Sequence, residues 1–415
     1  MRIKDICDLV SRGCTPNYVE ESPYKVMNQA TFSKGFLDES SIRFTDSVNP
    51  IAKIHKGDLL MASTGGGVLG KVFYFDSDDD SFCADSHVSI LRSYKNSMKF
   101  LYYYFSIRYE LINSTMVKGS TNQTELQRNY LLNHHVEIPD FTIQERIVEY
   151  LDNKTSVIDK RIAALKIKVH LYIRKKQCII NEVTSKGLNH RGTYHRSTIL
   201  HTDEIPKEWQ FYRIKDIGYL YGGLSGKSGE DFRSEDNSRR KPYIPFTNIL
   251  NNTYIDESQY NYVVMEDGEC QNEVKKNDLL FLMSSEDYES IAKTAVVKND
   301  IGEVYLNSFC KGVRFYNENL VYAPFVNYQL SSTKFRDYLR FEARGFTRIN
   351  IKVDKINSMF VYLAPLEEQK AIVAYLDDKC AKIDAIVSNI NSQIEKLQLL
   401  KKSLINDVIS GRRKV

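Results

Sequence analysis

No stretch of this chain approaches the roughly 18 apolar residues that a membrane-crossing helix needs, so a transmembrane segment is not expected. Met1-Arg2-Ile3-Lys4-Asp5 lacks the apolar core of a signal peptide. The seven cysteines, Cys7, Cys14, Cys83, Cys178, Cys270, Cys310 and Cys380, lie far apart and form no Cys-x-x-Cys pair. That spacing excludes zinc-ribbon and thioredoxin-like motifs and fits reduced thiols, hence a cytoplasmic protein. A strong charge of one sign is also missing. The net charge of +4 neither demands nor excludes nucleic acid.

Catalytic signatures are lacking as well. Gly65-Gly66-Gly67-Val68-Leu69-Gly70-Lys71 nearly forms a phosphate loop, but Val72 stands where a Ser or Thr would hold magnesium. It also runs into the strand-like Val72-Phe73-Tyr74-Phe75 rather than a helix start, so it reads as a Gly-rich turn. Gly222–Gly226-Lys227-Ser228 misses the same spacing by one residue. His190, His195 and His201 have no Cys or acid at ligand spacing, which leaves no zinc site. No Asn-Pro-Pro-aromatic signature of amino-methyltransferases and no nuclease cluster of paired carboxylates plus Lys is present, and Asp78-Asp79-Asp80 reads as a solvated turn. No metal is expected on this chain.

What the chain does contain is a long heptad run, twice. The copies cover residues 142–186 and 367–410 at a constant offset. Ile147-Val148-Glu149-Tyr150-Leu151-Asp152 becomes Ile372-Val373-Ala374-Tyr375-Leu376-Asp377. Two apolar positions per heptad describe a coiled-coil seam. Its expected core is Leu151, Ile158, Ile162, Leu165 and Val169 in the first copy, and Leu376, Ile383, Val387, Ile390, Ile394 and Leu397 in the second. Lys176 and Lys401 interrupt the same seam at matching places. Thr142-Ile143-Gln144-Glu145 predicts a capping box. Pro365, Glu367 and Glu368 suit a helix start, and Gly187 and Gly411 suit the two ends. The natural reading is an intramolecular helix pair.

A mixed segment precedes each helix, and the segments echo each other. Arg2-Ile3-Lys4-Asp5-Ile6 recurs as Arg213-Ile214-Lys215-Asp216-Ile217, and Lys56-Gly57-Asp58-Leu59-Leu60 as Lys276-Asn277-Asp278-Leu279-Leu280. Strands are expected at 58–62, 72–75 and 88–91 and at 279–283, 294–297 and 312–315, with helices at 100–112 and 324–341. The expected class is therefore α/β (α+β). The expected domains are 1–140 and 207–364, followed by long helices at 141–187 and 365–411, with a connector at 188–206.

Polar and basic residues gather in expected loops. Lys118, Ser120, Thr121, Asn122 and Gln123 form one cluster, Arg239, Arg240 and Lys241 a second, and Thr347, Arg348 and Asn350 a third. Arg, Lys, Asn and Gln can read base edges, while Ser, Thr and backbone N–H groups hold phosphate. Gly-x-Thr followed by a long polar residue occurs at matching places in both domains, which makes these loops candidate DNA contacts.

Pro365-Leu366-Glu367-Glu368-Gln369-Lys370-Ala371-Ile372 followed by Leu376-Asp377 resembles the helix start of a known family, the specificity (S) subunits of type I restriction–modification enzymes. The first copy, from Pro139 to Asp152, has one more residue before Gln144 and lacks the Glu before it. The resemblance implies two target-recognition domains, each binding one half of a bipartite double-stranded DNA site, and an antiparallel helix pair that sets their spacing. It also implies docking of two methyltransferase subunits carrying S-adenosylmethionine and of translocating restriction subunits carrying ATP and magnesium. This chain would carry no cofactor and no catalytic residue. The competing readings are an enzyme with its own nuclease or methyltransferase site, a coiled-coil scaffold, and a specificity subunit of a related methylation-based defence system.

Overall fold

The structure is a computed structural model. It describes residues 1–118, 124–188, 193–196, 204–233, 239–266 and 268–415. The chain divides into two compact units. Unit 1 comprises Met1–Lys166 and Asn391–Val415, and unit 2 comprises Ile167–Ile390. Both are mixed α/β.

Unit 1 is built on an antiparallel sheet in the order Leu9–Arg12, Val88–Arg92, Leu59–Ala62, Val72–Tyr74. All four residues of Leu59–Ala62 are buried because both faces of this strand are covered. The two-residue side-chain period then divides them. Leu59 and Met61 join a core with Phe100, Leu101 and the long-helix residues Leu151 and Val408. Leu60 and Ala62 join a second core with Phe32, Phe75 and Ile90.

Unit 2 repeats the plan. Its antiparallel sheet runs Gly218–Gly222, Cys310–Phe315, Leu279–Leu282, Thr294–Val296. Leu279 and Phe281 face a core with Trp209, Phe325 and Leu376, while Leu280 and Leu282 face one with Ile244 and Val304. The recurring sequences make recurring local structure. Arg2 and Arg213 each precede a one-turn helix and pair through Nε with Asp5 at 3.0 Å and Asp216 at 2.9 Å. Gly57 (φ +92°) and Asn277 (φ +66°) take the left-handed turn position before the central strand. The carboxylates that follow, Asp58 and Asp278, accept the backbone N–H of His55 at 2.7 Å and Lys275 at 2.8 Å. Each also pairs with an arginine from the neighbouring strand, Arg92 at 2.6 Å and Arg314 at 2.7 Å.

The long helices are Phe141–Lys186, of 46 residues, and Leu366–Ile409, of 44 residues. At ~1.5 Å per residue each is about 65–70 Å long. Of the expected seam, Leu151, Ile162 and Ile394 are buried and Ile158, Leu165 and Leu397 half-buried in unit 1. In unit 2, Leu376, Ile383 and Ile390 are buried, and Val169 and Val387 half-buried. The seam lysines reach across to carboxylates of the other helix. Lys401 meets Asp159 at 2.6 Å in unit 1, and Lys176 meets Asp384 at 2.7 Å in unit 2. The two residue numbers of each pair have the same sum, as an antiparallel pair in constant register requires. Gly187 (φ +74°) and Gly411 (φ +73°) end the helices.

Several expectations are corrected. The helix expected at 100–112 is two, Met98–Ser106 and Tyr109–Thr115, and that at 324–341 is also two, Ala323–Leu330 and Thr333–Glu342. At both breaks a serine hydroxyl turns back onto the chain, Ser106 to Tyr103 O at 2.9 Å and Ser331 to Asn327 O at 2.9 Å. Thr142 is not the N-cap, because the helix has already begun at Phe141, and the Asp140 carbonyl accepts the N–H groups of Ile143 and Gln144. Buried Gln144 anchors that start. Its amide donates to Pro139 O at 2.8 Å and Asn96 Oδ1 at 3.1 Å, and its carbonyl accepts Ser97 N–H at 2.8 Å. Gln369 does the same with Ala364 O at 2.7 Å, Leu320 O at 2.9 Å and Tyr322 N–H at 2.9 Å. Both glutamines reach back five residues, so the extra residue of the first copy leaves this anchor intact. The connector contains a short antiparallel ladder, Tyr194–Arg196 with Glu204–Pro206.

Candidate nucleic-acid interface

In each unit the chain returns late to the end of the central strand and builds a cleft there. In unit 1, the Leu126 N–H donates to Ser63 O at 2.8 Å, and the Ser63 N–H donates to His87 O at 2.8 Å. In unit 2, the Ile351 N–H donates to Met283 O at 3.1 Å, and the Met283 N–H to Phe309 O at 3.0 Å. Side chains brace the same turn in both. Asp85 Oδ1 accepts the His87 N–H at 2.8 Å, and Asn307 Oδ1 accepts the Phe309 N–H at 2.9 Å. Burial raises the pKa of the Asp85 carboxyl above its ordinary value. The His87 ring meets the Thr64 hydroxyl at 2.7 Å.

The unit 1 cleft has a volume of about 370 Å³, with Ser11, Arg12, Ser89, Gln127 and Arg128 in its wall. Arg12 donates to Ser86 O and pairs with Glu125. Arg128 donates to Val10 O at 3.1 Å. Glu125 and Leu126 in the wall of this cleft pair with Lys118 and Val117 in a short antiparallel ladder. Ser120, Thr121, Asn122 and Gln123 lie outside the described residues.

The unit 2 cleft, of about 450 Å³, has Ser284, Phe309, Lys311, Asn350 and Lys352 in its wall. Ser284–Ser285 pairs with Ile349–Asn350. Thr347, Arg348 and Asn350 are exposed, and the Arg348 guanidinium lies over the Phe309 ring, 4.8 Å from its centroid. Thus Arg348 and Asn350 come together with Lys311 and Lys352. Arg239, Arg240 and Lys241 instead lie at or on the middle strand of a separate three-stranded sheet. Arg239 pairs with Glu266 at 3.0 Å and Lys241 with Glu303 at 2.7 Å, while Arg240 stacks on Tyr262 at 5.3 Å. Their charge is therefore largely compensated within the sheet.

Arg12, Arg128, Lys311 and Lys352 escaped the sequence reading. They sit in no basic run, and only the return of the chain to the strand end collects them. The Gly65–Lys71 segment is a turn between strands Leu59–Ala62 and Val72–Tyr74, as read from the sequence, with left-handed Gly65, Gly67 and Gly70. Among the described residues no cluster of His, Cys, Asp and Glu could hold a metal, and no helix is long and apolar enough to cross a membrane. The clefts offer guanidinium, ammonium, amide and hydroxyl groups, the chemistry of phosphate and base-edge recognition.

The family model described as type I restriction modification DNA specificity domain matches residues 1–168 and again residues 206–396. A type I restriction enzyme specificity subunit, MjaX of Methanocaldococcus jannaschii, is 22% identical over 432 aligned residues, covering 100% of this chain and 93% of that protein. The EcoKI specificity subunit of Escherichia coli is 20% identical over 211 residues, covering 50% of this chain and 44% of that protein. A solved structure from work on complex assembly and conformational transition of the type I R-M system superposes with a TM-score of 0.72 at 16% identity. That match covers 99% of this chain and 96% of that one, a likeness of fold.

Proposed function

The chain belongs to the type I restriction–modification DNA specificity family and is a non-catalytic DNA specificity subunit, and from that premise we propose that each unit reads one half of a bipartite DNA target through its strand-end cleft. The observation that carries this reading is the duplication. The same backbone hydrogen bonds build the same cleft twice, while the lining differs: Arg12, Ser89, Gln127 and Arg128 in one against Phe309, Lys311, Asn350 and Lys352 in the other. One scaffold with two linings fits two different half-sites. Lys118, Ser120, Thr121, Asn122, Gln123, Thr347, Arg348 and Asn350 are the further DNA contacts we assign. Arg239, Arg240 and Lys241 would contribute phosphate contacts at most.

The long helices set the number of unread bases between half-sites and dock two methyltransferase subunits, which carry S-adenosylmethionine. Restriction subunits carrying ATP and magnesium join that complex. Such an assembly works in the cytoplasm, where its DNA is.

The test is genome-wide methylation mapping in cells expressing this chain with a cognate methyltransferase subunit, against cells lacking the chain. A methylated two-part motif with a fixed gap, present only with the chain, is expected. A soluble complex that leaves no such motif would return the chain to the scaffold reading.

A further inference from the structure

Beside the unit 2 cleft, the chain from Arg344 to Asn350 forms a closed loop. The Arg344 N–H donates to Asn350 O at 2.9 Å and the Asn350 N–H to Arg344 O at 2.8 Å. Gly345 has φ +152°, and a Cβ there would overlap the Arg348 carbonyl oxygen, so only glycine lets the loop turn back this sharply. The Tyr288 hydroxyl donates to Gly345 O at 3.4 Å, and Asn350 Nδ2 donates to Arg348 O at 3.2 Å. The loop is thus held at its base, from its side and from within.

At the tip of this restrained loop stands Phe346, with 100% of its surface exposed. A phenylalanine placed wholly in water contributes no burial to folding. The guanidinium of Arg344 lies over Phe341 at 5.6 Å and donates to the Phe341 and Ala343 carbonyls, and that of Arg348 lies over Phe309 at 4.8 Å; along the chain the two arginines flank Phe346 on either side. On the adjoining loop, Asp287 is occupied by the N–H and hydroxyl of Ser290, and Glu289 by Arg340. Glu286, Asp287 and Glu289 are all exposed, and of the three Glu286 has no cation or hydroxyl beside it among the described residues. A rigid apolar tip between arginines suits one kind of surface, the edge of a stacked polyanion.

Building on the DNA-reading role above, we propose that Phe346 is a wedge. It enters between two stacked base pairs of the half-site read by unit 2, while Arg344 and Arg348 hold the phosphates on either side. The wedge unstacks one step and bends the duplex there, so the second half-site is read partly through the deformability of that step. The matching sequence position in unit 1 is Ser120. The distortion therefore belongs to one half-site only.

The experiment uses the full chain assembled with its methyltransferase subunits, and duplexes of the mapped motif carrying 2-aminopurine at each position in turn. Apart from the methylated positions, which the methyltransferase subunits flip out of the stack in both half-sites, wild type should raise the fluorescence severalfold at one step of the half-site read by unit 2 and leave the remaining positions of the other half-site unchanged. Phe346→Ala should abolish that rise and weaken binding by about tenfold, while Phe346→Leu keeps most of both. Arg348→Lys should keep the fluorescence change and lower affinity. An unchanged signal in Phe346→Ala would overturn the wedge. So would loss of methyltransferase subunits from the Phe346→Ala complex, which would make the side chain a protein contact. If wild type itself shows no preference for the two-part motif, the DNA-reading role fails and the wedge with it. Motif-selective binding with no fluorescence change outside the methylated positions rejects the wedge alone.

Discussion

Asp58 and Asp278 are almost completely buried carboxylates, each closing a turn and receiving an arginine from the next strand. The Tyr221 hydroxyl also donates to Asp278 at 2.5 Å, and burial first, then that carboxylate, raises the tyrosine's pKa. Removing one member of such a pair leaves a charge without its partner in a poorly solvated place. Asp278→Ala should therefore cost about 3–5 kcal/mol, measured by urea unfolding against wild type. A loss below ~1 kcal/mol would mean that Arg314 escapes to water and that the pair does not hold the strands. The motif around Asp278 was legible in the sequence because Lys-x-Asp-Leu-Leu recurs. Its partner was not, since Arg314 lies far along the chain.

At the scale of elements, the helix pair shows how a polar residue in an apolar seam is used. Lys176 and Lys401 occupy positions of a series otherwise filled by Val and Ile apart from Thr155 and Cys380, yet each extends its ammonium to an aspartate of the facing helix. A slip of one heptad would separate both pairs, so they favour this register over its neighbours. The Lys401 and Asp159 side chains are 30% and 54% exposed, so water screens the pair. A double-mutant cycle with Lys401→Met and Asp159→Asn should give a coupling of about 0.2–1 kcal/mol that shrinks with added salt. Zero coupling at low salt would remove the register argument. The seam itself was readable because helix periodicity is local. The capping at Gln144 was missed because its acceptors and donor come from two separate stretches, Asn96-Ser97 and Pro139.

At the scale of the whole molecule, two units of one plan carry different clefts. Exchanging residues 207–364 for the corresponding segment of another family member should change one half of the methylated motif and leave the other half and the gap unaltered. Methylation mapping of the chimaera reads this directly. A change in both halves would mean that the units do not read independently. A change in gap length alone would place the determinant in the helices.

The sequence by itself determined the duplication, the mixed α/β class, the two long helices and their stops, and the main strands. These follow from periodicities and turn residues that act over a few positions, such as the continuous apolar run Leu59–Ala62 and the left-handed Gly57 and Asn277. Tertiary structure alone decided the site. Arg12 and Arg128 share one cleft wall, and Arg348 lies over Phe309, only because backbone hydrogen bonds return distant segments to the same strand end. It also decided that Arg239 and Lys241, conspicuous as a basic run, would be paired with acids on their own sheet. Local preference selects elements, but the convergence of side chains depends on which faces the packed cores leave open.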